Sequence, residues 1–531
     1  MHTEVLVVGG GLGGVAAALA ALRAGRSVVL TEEFDWLGGQ LTSQAVPPDE
    51  HSWVEQFGVT ASYRALRDGI REYYRRHYPL TAASRATPQL NPGAGYVSKL
   101  CHEPRVALAV LEAMLAPYRA SRRLRVLQPY RPVAAETDGD RVTAVTVQHR
   151  DSDEQVTVTA PYILDATETG ELLPLTGTEY VTGFESQDQT GEPSAPAEAQ
   201  PMNMQAVSYC FAVDHVDGDQ VGDKPANYAF WRNYQPSFWG DRLLSWTAPN
   251  PRTLETSHRS FTPNPDDDPL AVVADQRLAG GDTNLWTFRR IAARRHFVPG
   301  AYESDICLVN WPMIDYFEGP VIDVPDAARH LAAARELSQS VFYWLQTEAP
   351  RPDGGAGFPG LRLRGDLLGS TDGLAQAPYI RESRRIKAEY TIVEQDLSVA
   401  VRGARGAVEY DDTVGVGMYR IDLHPSTGGD NYIDVASSPF RIPLGALIPQ
   451  RVENLLPANK NLGTTHITNG CYRLHPTEWN IGESAGLLAA FCLERSTTPR
   501  AVRSTPALLA DYQSRLAAEG VELSWPEVSG Y

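Results

Sequence analysis

The stretch Glu4–Glu33, EVLVVGGGLGGVAAALAALRAGRSVVLTEE, decides the fold. After Glu4, Val5–Val8 is a short apolar run rich in β-branched residues, the signature of a strand covered on both faces. Gly9, Gly11 and Gly14 follow at GxGxxG spacing, with Gly13 inside the motif. Val15–Ala24 is rich in Ala and Leu and stops before Gly25, a good residue for a helix C-terminus. Ser27–Thr31 is a second buried strand, ended by Glu32. Each glycine has its own task. Gly9 allows a sharp turn, Gly11 lets backbone approach a pyrophosphate, and Gly14 lets the helix pack tightly on the strand. The helix N-terminus offers free N–H groups and a positive dipole end to phosphates. Glu32 lies 18 residues beyond Gly14, where an acid binds the adenosine ribose hydroxyls. A bare GxGxxG is only a glycine-rich turn. Here strand, helix, second strand and terminal acid agree, and they point to dinucleotide binding.

Glu33–His51, EFDWLGGQLTSQAVPPDEH, carries a second glycine pair, Gly38-Gly39, soon after the ribose acid. This resembles the FAD-binding fold of glutathione-reductase-like flavoproteins. Later segments fit the same order. Cys101–Ser121 predicts a helix with Pro104 in its first turn, and Leu124–Leu127 a strand. Pro132–Ala160 alternates apolar and polar residues with turns at Asp138-Gly139 and Asp151-Ser152, a β-meander. Tyr162–Asp165 is one more buried strand. It opens a D-A-T-x-x-G motif of Asp165, Ala166, Thr167 and Gly170, which in such proteins approaches the flavin-side phosphate and ribitol. Asn454–Pro457 predicts the strand by which the chain returns to the FAD domain.

With these motifs in chain order, the sequence is similar to a family of bacterial FAD-dependent oxidoreductases, some loosely labelled xanthan-lyase-like. DWLGGQLTSQAVPPDEH, PYIRESRRIKAEYT and SSPFRIPLGALIP also fit it, and the resemblance spans essentially the whole chain. It implies an α/β fold: a glutathione-reductase-like FAD-binding Rossmann domain with an inserted β-meander, plus an α+β substrate domain. The expected division is residues 1–48, 101–182 and 436–500 for FAD, 49–100 and 183–435 for substrate, and 501–531 as an extension. The resemblance also sets Gly13, Gly38, Gly39, Gln40, Val133, Asn459, Asn480 and Gly482 against the cofactor, beside the residues named above.

Beyond Gly183 the texture changes to long polar loops, with strands expected at Ala206–Asp214 and Thr283–Ala293 and a helix at Ala327–Thr347. No internal repeat and no second GxGxxG after a strand are visible, so no separate NAD(P)H domain is expected.

Candidate chemistry concentrates in Thr465–Gly486, THITNGCYRLHPTEWNIGESAG. Pro476 suits the first turn of a helix, and Gly482, Gly486 and Ala490 recur at helical spacing as a stripe of small residues. The resemblance implies that this stripe lies under the isoalloxazine, the alternative being tight helix packing. Oxidising an alcohol or amine needs a base beside the carbon that gives hydride to flavin N5, and His is matched to neutral pH. His475 is the first choice and His466 the second, with Arg473 and Glu478 beside them; a structural hydrogen bond or helix cap is the alternative for either His. Trp479 walls the flavin or fills core. In Tyr379–Ile386, YIRESRRI, Arg381 and Arg385 are expected on one helical face, either to anchor a carboxylate or polar substrate or to form an inter-domain ion-pair network. Trp311 and Tyr316 are candidate pocket walls.

The net charge of −18 with no basic block argues against nucleic acid. The five scattered cysteines show no zinc spacing and read as reduced thiols of a cytoplasmic protein. No signal peptide, membrane span or metal is expected, and a homodimer is one option for assembly. The leading reading is a flavoenzyme that takes hydride from a small polar substrate and passes electrons to dioxygen or a carrier. The alternatives are a single-component monooxygenase using NAD(P)H and a non-catalytic FAD-binding protein.

Overall fold

The computed structural model describes residues 1–272 and 284–528. Strand β1 (Val5–Val8), helix α1 (Leu12–Arg23) and strand β2 (Val28–Thr31) form the first unit. Helix α2 (Ala61–His77) and helix α3 (Pro104–Ala120) follow, then strand β3 (Leu124–Leu127). Strands β4 (Tyr130–Asp138), β5 (Arg141–His149) and β6 (Gln155–Thr159) make an antiparallel meander. Strand β7 (Tyr162–Asp165) returns to the first sheet.

The middle of the chain builds a second, antiparallel sheet. Its strands are β8 (Phe211–His215), β9 (Arg290–Ala292), β10 (Ile306–Val309) and, after helix α4 (Ala327–Thr347), β11 (Leu361–Leu363). Their spatial order is β9-β10-β8-β11. Strands β12 (Thr413–Gly417) and β13 (Phe440–Pro443) pair with each other. The last segment supplies β14 (Leu455–Pro457), α5 (His466–Tyr472) and the long α6 (His475–Arg495).

The site-bearing sheet is five-stranded and parallel, ordered β14-β7-β1-β2-β3. Val8 pairs with Thr31 on one side and Asp165 on the other, and Pro457 stands beside Asp165. The carboxyl ends of four strands therefore align on one edge. The chain runs outward from β1 through β2 and β3, then restarts on the other flank with β7. That reversal opens a crevice between the ends of β1 and β7, the place where open α/β sheets bind ligands.

Three local expectations differ. Tyr379–Ile386 is not a helix but two short extended pieces, Tyr379–Ile380 and Arg385–Ile386, each paired with a different strand. Arg381 and Arg385 therefore do not share a helical face. Of the strand expected at Thr283–Ala293, Thr283 lies outside the described residues, and the rest is a helical turn, Leu285–Phe288, followed by β9. Thr247–Pro249 and Thr256–His258 form a hairpin where a loop is expected.

Candidate functional site

The carboxyl edge is shaped by backbone contact. Gly9 has φ +101°, and a Cβ there would fall 2.3 Å from the Ala166 carbonyl oxygen; a side chain would need both a rare backbone conformation and space that is already filled. A Cβ on Gly14 would lie 1.9 Å from the Gly9 carbonyl oxygen, and one on Gly13 1.9 Å from that of Ala458. The ends of β1 and β14 and the first turn of α1 are thus locked together. Gly38 and Gly39 have φ +109° and +49°, and a Cβ on Gly39 would stand 2.9 Å from the Gly11 Cα. The second glycine pair closes over the first.

A cavity of about 510 Å³ runs along this edge. It is lined by Glu32, Phe34, Arg131 and Pro132, by Gly9–Gly11 and Ala166–Thr169, and by Gly39, Ser43, Gln44 and Ile380. Glu32 accepts from the Gly10 amide at 3.0 Å and the Phe34 amide at 2.8 Å. Burial pushes its carboxyl up to about 8, with the Phe34 amide opposing. Val133 sits at an irregularity in the β4–β5 pairing, next to the wall residue Pro132. Asp165 stays within its own loop, accepting from the Thr167 amide and hydroxyl at 3.0 and 2.7 Å and from the Leu172 amide at 3.1 Å. It builds the turn that presents Ala166 and Thr167, and Gly170 (φ +66°) completes that turn.

Lys460 and Glu168 form an ion pair above Gly11. Glu478 accepts from the Gly13 amide at 3.1 Å, and Gln40 Nε2 donates to its other oxygen. Burial pushes Glu478 up to about 7, with Lys460 opposing. Glu478 thus ties the start of α6 to the start of α1. Asn459 donates to the Ala166 carbonyl at 3.2 Å and accepts from the Lys460 amide at 2.6 Å, stitching β14 to β7.

Several buried side chains, Gln44 of the cavity wall among them, have atoms with no hydrogen-bond partner among the described residues. They include Gln40 Oε1, Gln44 Oε1, Asn461 Oδ1, Asn469 Oδ1, His466 Nε2 and Arg473 Nε. Their hosts are otherwise fixed: Gln40 Nε2 donates to the Arg473 carbonyl at 2.9 Å, and Asn469 donates to the Lys460 carbonyl at 2.8 Å. Buried polar atoms rarely go unpaired, so these atoms are available to a polar partner.

The family whose description is FAD dependent oxidoreductase matches residues 4–516. The chain belongs to this family. It is an enzyme with FAD as its cofactor. The residues present fit FAD: the cavity they line has an acid, Glu32, and the Gly9–Gly11 backbone turn on its wall, which would suit a ribose and a pyrophosphate. No curated protein matches the chain. Solved structures are similar only faintly. OxyS anhydrotetracycline hydroxylase from Streptomyces rimosus is 12% identical, over 98% of this chain and 66% of its own, with a TM-score of 0.33. RebC-10x (native and K252c-bound) is 14% identical over 40% of this chain, with a TM-score of 0.23. L-proline dehydrogenase from P. horikoshii is 15% identical over 35%, with a TM-score of 0.17. The chain covers 38% and 25% of the lengths of the last two. None of these likenesses carries an argument about the reaction. Among the described residues, no helix is long and apolar enough to cross a membrane.

Several expected contacts of the flavoenzyme are corrected by geometry. The small-residue stripe on α6 faces α1 and not a flat ligand: a Cβ on Gly482 would lie 2.0 Å from the Gly13 carbonyl oxygen, and one on Gly486 2.2 Å from that of Ala17. Asn480 faces β12, accepting from the Val416 amide at 3.2 Å and donating to the Val414 carbonyl at 3.3 Å. Trp479 packs edge-on to Tyr63 of α2 and donates to Ser62 at 2.7 Å. Trp311 packs against Phe261 in the core, and Tyr316 bonds His330 at 2.7 Å.

Arg381 and Arg385 are committed to internal partners. Arg381 donates to the Ala206 carbonyl and the Ser208 hydroxyl, both at 2.9 Å, and pairs with Asp315 at 2.9 Å. Arg385 donates to Thr464 and Gly183 carbonyls and pairs with Glu382 and Glu185 at 2.8 and 2.9 Å. The ion-pair network is what the structure contains, so neither arginine is a free substrate anchor.

The two histidines separate clearly. His475 Nδ1 accepts from the Asp49 amide at 3.0 Å, so its single proton is on Nε2. Burial pulls its pKa down to about 3, and the nearby Arg289 adds to this against Glu50. A neutral imidazole whose one lone pair is already occupied cannot take a proton, so the first-choice base is corrected: His475 fixes the Val46–Asp49 segment against α6. His466 is arranged the opposite way. Its Nδ1 meets Glu382 Oε1 at 2.9 Å, and its ring lies against Phe184 with centroids 3.7 Å apart. Burial pushes Glu382 up, but His466, Arg385 and the Gln205 amide outweigh it and hold the carboxyl at about 2. An ionised Glu382 accepts a proton from Nδ1 and fixes the ring, and His466 Nε2 on its far side is buried with no partner among the described residues.

Proposed function

We propose that this FAD-dependent oxidoreductase removes a hydride from the carbon of a small alcohol, amine or sugar-like substrate, with His466 Nε2 taking the proton of the departing O–H or N–H. Bound FAD supplies the hydride acceptor and hands the electron pair to dioxygen or a carrier. One observation carries the reading: His466 is buried, oriented through Nδ1 by an ionised Glu382 at 2.9 Å, and has no partner for Nε2 among the described residues. A fixed base with its lone pair aimed away from its orienting carboxylate is the arrangement that general-base catalysis uses. Glu382 itself does not touch the substrate. It holds the ring, and Arg385 and the Gln205 amide (3.0 Å) hold Glu382.

The experiment is an anaerobic bleaching screen of the yellow holoenzyme over alcohols, polyols, amino acids and amines, without NAD(P)H. A substrate that bleaches the flavin, with rates falling by ~10²-fold or more in His466→Ala, supports the reading. Bleaching that persists at wild-type rates in His466→Ala removes His466 from the chemistry. Reduction that occurs only with NADPH points instead to the monooxygenase.

A further inference from the structure

The wall of the cofactor cavity is short of positive charge. Glu32, Glu33, Glu168 and Glu171 line it, and among the described residues that do so the one cation is Arg131. Burial pushes Glu171 up to about 8, with Glu33 and Asp165 adding to this, as burial does for Glu32. Near neutral pH these two carboxyls hold protons and do not oppose an anion. Arg131 is engaged with Glu33, where it opposes the upward push of burial. A diphosphate adds further negative charge to this wall, and like charges set side by side are costly. The chain therefore needs a second cation, and it needs to keep its remaining carboxylate out of the way.

That carboxylate is Glu168. A Cβ on Gly11 would lie 2.9 Å from Glu168 Oε1, and one on Gly39 3.0 Å from the same atom. Both glycines line the cavity, and Gly11 is the position whose missing side chain lets a diphosphate approach the backbone. The Glu168 carboxylate thus occupies the space over the turn that a phosphate oxygen would need. Glu478 is farther off, 3.8 Å from the Cβ position of Gly11, and is committed to the Gly13 amide and Gln40. The partner of Glu168 among the described residues is the ammonium of Lys460. The two ends of this pair are held differently. The Glu168 side chain is 21% exposed and lies on the cavity wall, whereas that of Lys460 is fully buried. The Lys460 carbonyl accepts from Asn469 at 2.8 Å, and its ammonium also reaches Asn459 Oδ1 at 3.5 Å. The carboxylate is free to turn aside while the ammonium stays in place. A buried ammonium needs an anion beside it, so Lys460 keeps Glu168 or takes a replacement.

We propose that Lys460 is the cation that meets the FAD diphosphate, and that Glu168 is the competing anion that turns aside as the cofactor binds. The exchange keeps the buried ammonium paired throughout, first with an internal carboxylate and then with a phosphate oxygen. It makes the pair a determinant of cofactor affinity. Lys460 raises that affinity, and Glu168 lowers it, both by competing for Lys460 and by placing a like charge over Gly11. The inference concerns the cofactor alone, and stands apart from the identity of the substrate and from the role of His466.

The test needs no turnover. FAD is titrated into the full-length chain after its removal, with affinity read by flavin fluorescence, and phosphorus NMR of the loaded enzyme reads the diphosphate resonances. Glu168→Gln removes the competing charge at nearly constant shape and should bind FAD about tenfold more tightly. Lys460→Gln should bind it about tenfold more weakly, and Lys460→Arg, which keeps the charge, should recover most of that loss. At least one phosphorus resonance should move in both Lys460 variants. Glu168→Gln with weaker or unchanged FAD binding overturns the proposal, since Glu168 would then be a ligand of the cofactor or a bystander. Unchanged affinity in Lys460→Gln, or phosphorus resonances that stay in place in both Lys460 variants, overturns it as well. Tighter binding cannot arise from a failure to fold, so Glu168→Gln decides the matter even where Lys460→Gln does not fold.

Discussion

Gly482 and Gly13 touch backbone to backbone: a Cβ on Gly482 would stand 2.0 Å from the Gly13 carbonyl oxygen. Gly13 is the second residue of α1, beside the Gly9–Gly11 turn that would meet the pyrophosphate, so α6 sets the position of that turn from behind. Gly482→Ala must therefore push the helices apart. It should cost about 1–3 kcal/mol and also weaken FAD retention. Urea unfolding of the holoenzyme, with released FAD measured by fluorescence, checks both; unchanged stability would mean that the helices part freely.

The FAD domain was legible in the sequence because each of its signals is local. The strand β1, the turn at Gly9 and the acid at Glu32 lie within one unit, and α3, β3 and β7 fall where the apolar runs place them. The stripe on α6 was legible as a close approach but not as to what approaches, since a helix backbone and a flavin make the same demand for small residues. His475 and His466 look alike in sequence, and only the Asp49 amide on one and Glu382 on the other tell them apart. Arg289 was missed for the same reason: it meets Asp49 across 240 residues. Helix α2 went unread although Tyr63, Leu66, Ile70 and Tyr74 give it a buried helical face; its arginines Arg67 and Arg71 point inward to Glu50 and Glu55, against the usual pattern.

His475 is expected to be a structural group. Glutamine at this position retains an acceptor for the Asp49 amide, so His475→Gln should keep flavin reduction within a few-fold of wild type. It should also change acid stability. The native state holds this ring neutral, with its pKa near 3 against an ordinary 6.5. The unfolded chain therefore binds the extra proton first, and stability is lost as pH falls from about 6.5 toward 3. In His475→Gln that part of the acid loss should vanish, as thermal unfolding across this range would record. A collapse of flavin reduction in the variant would return His475 to the chemistry.

Glu32 should act in the opposite direction. Its native pKa is about 8 against an ordinary 4.5, so the folded state keeps a proton that the unfolded chain has released. Its contribution is fully present below about pH 4.5 and is lost as pH rises through 8. Thermal unfolding of wild type should fall between these limits, and Glu32→Gln, which is never charged, should be flatter. The same variant loses a strong acceptor for the ribose hydroxyls and should bind FAD ~10-fold more weakly. Parallel pH profiles for the two proteins would show that Glu32 is not protonated in the fold.

Glu382 is the positioning residue whose variants separate orientation from binding. With its pKa near 2, Glu382 is ionised throughout the working range, and the His466 tautomer follows from its charge. Glu382→Gln can present an N–H to Nδ1 as readily as an oxygen, and it removes the charge that stabilises protonated His466. The expected result is a fall in kcat of ~10²-fold with KM changed little, because Glu382 acts through His466 and does not touch the substrate. Glu382→Asp should recover part of kcat. Glu382→Gln also leaves Arg385 paired only with Glu185, so thermal unfolding of each variant must accompany the kinetics. A loss of stability with kcat and KM intact would make Glu382 a member of the ion-pair network alone.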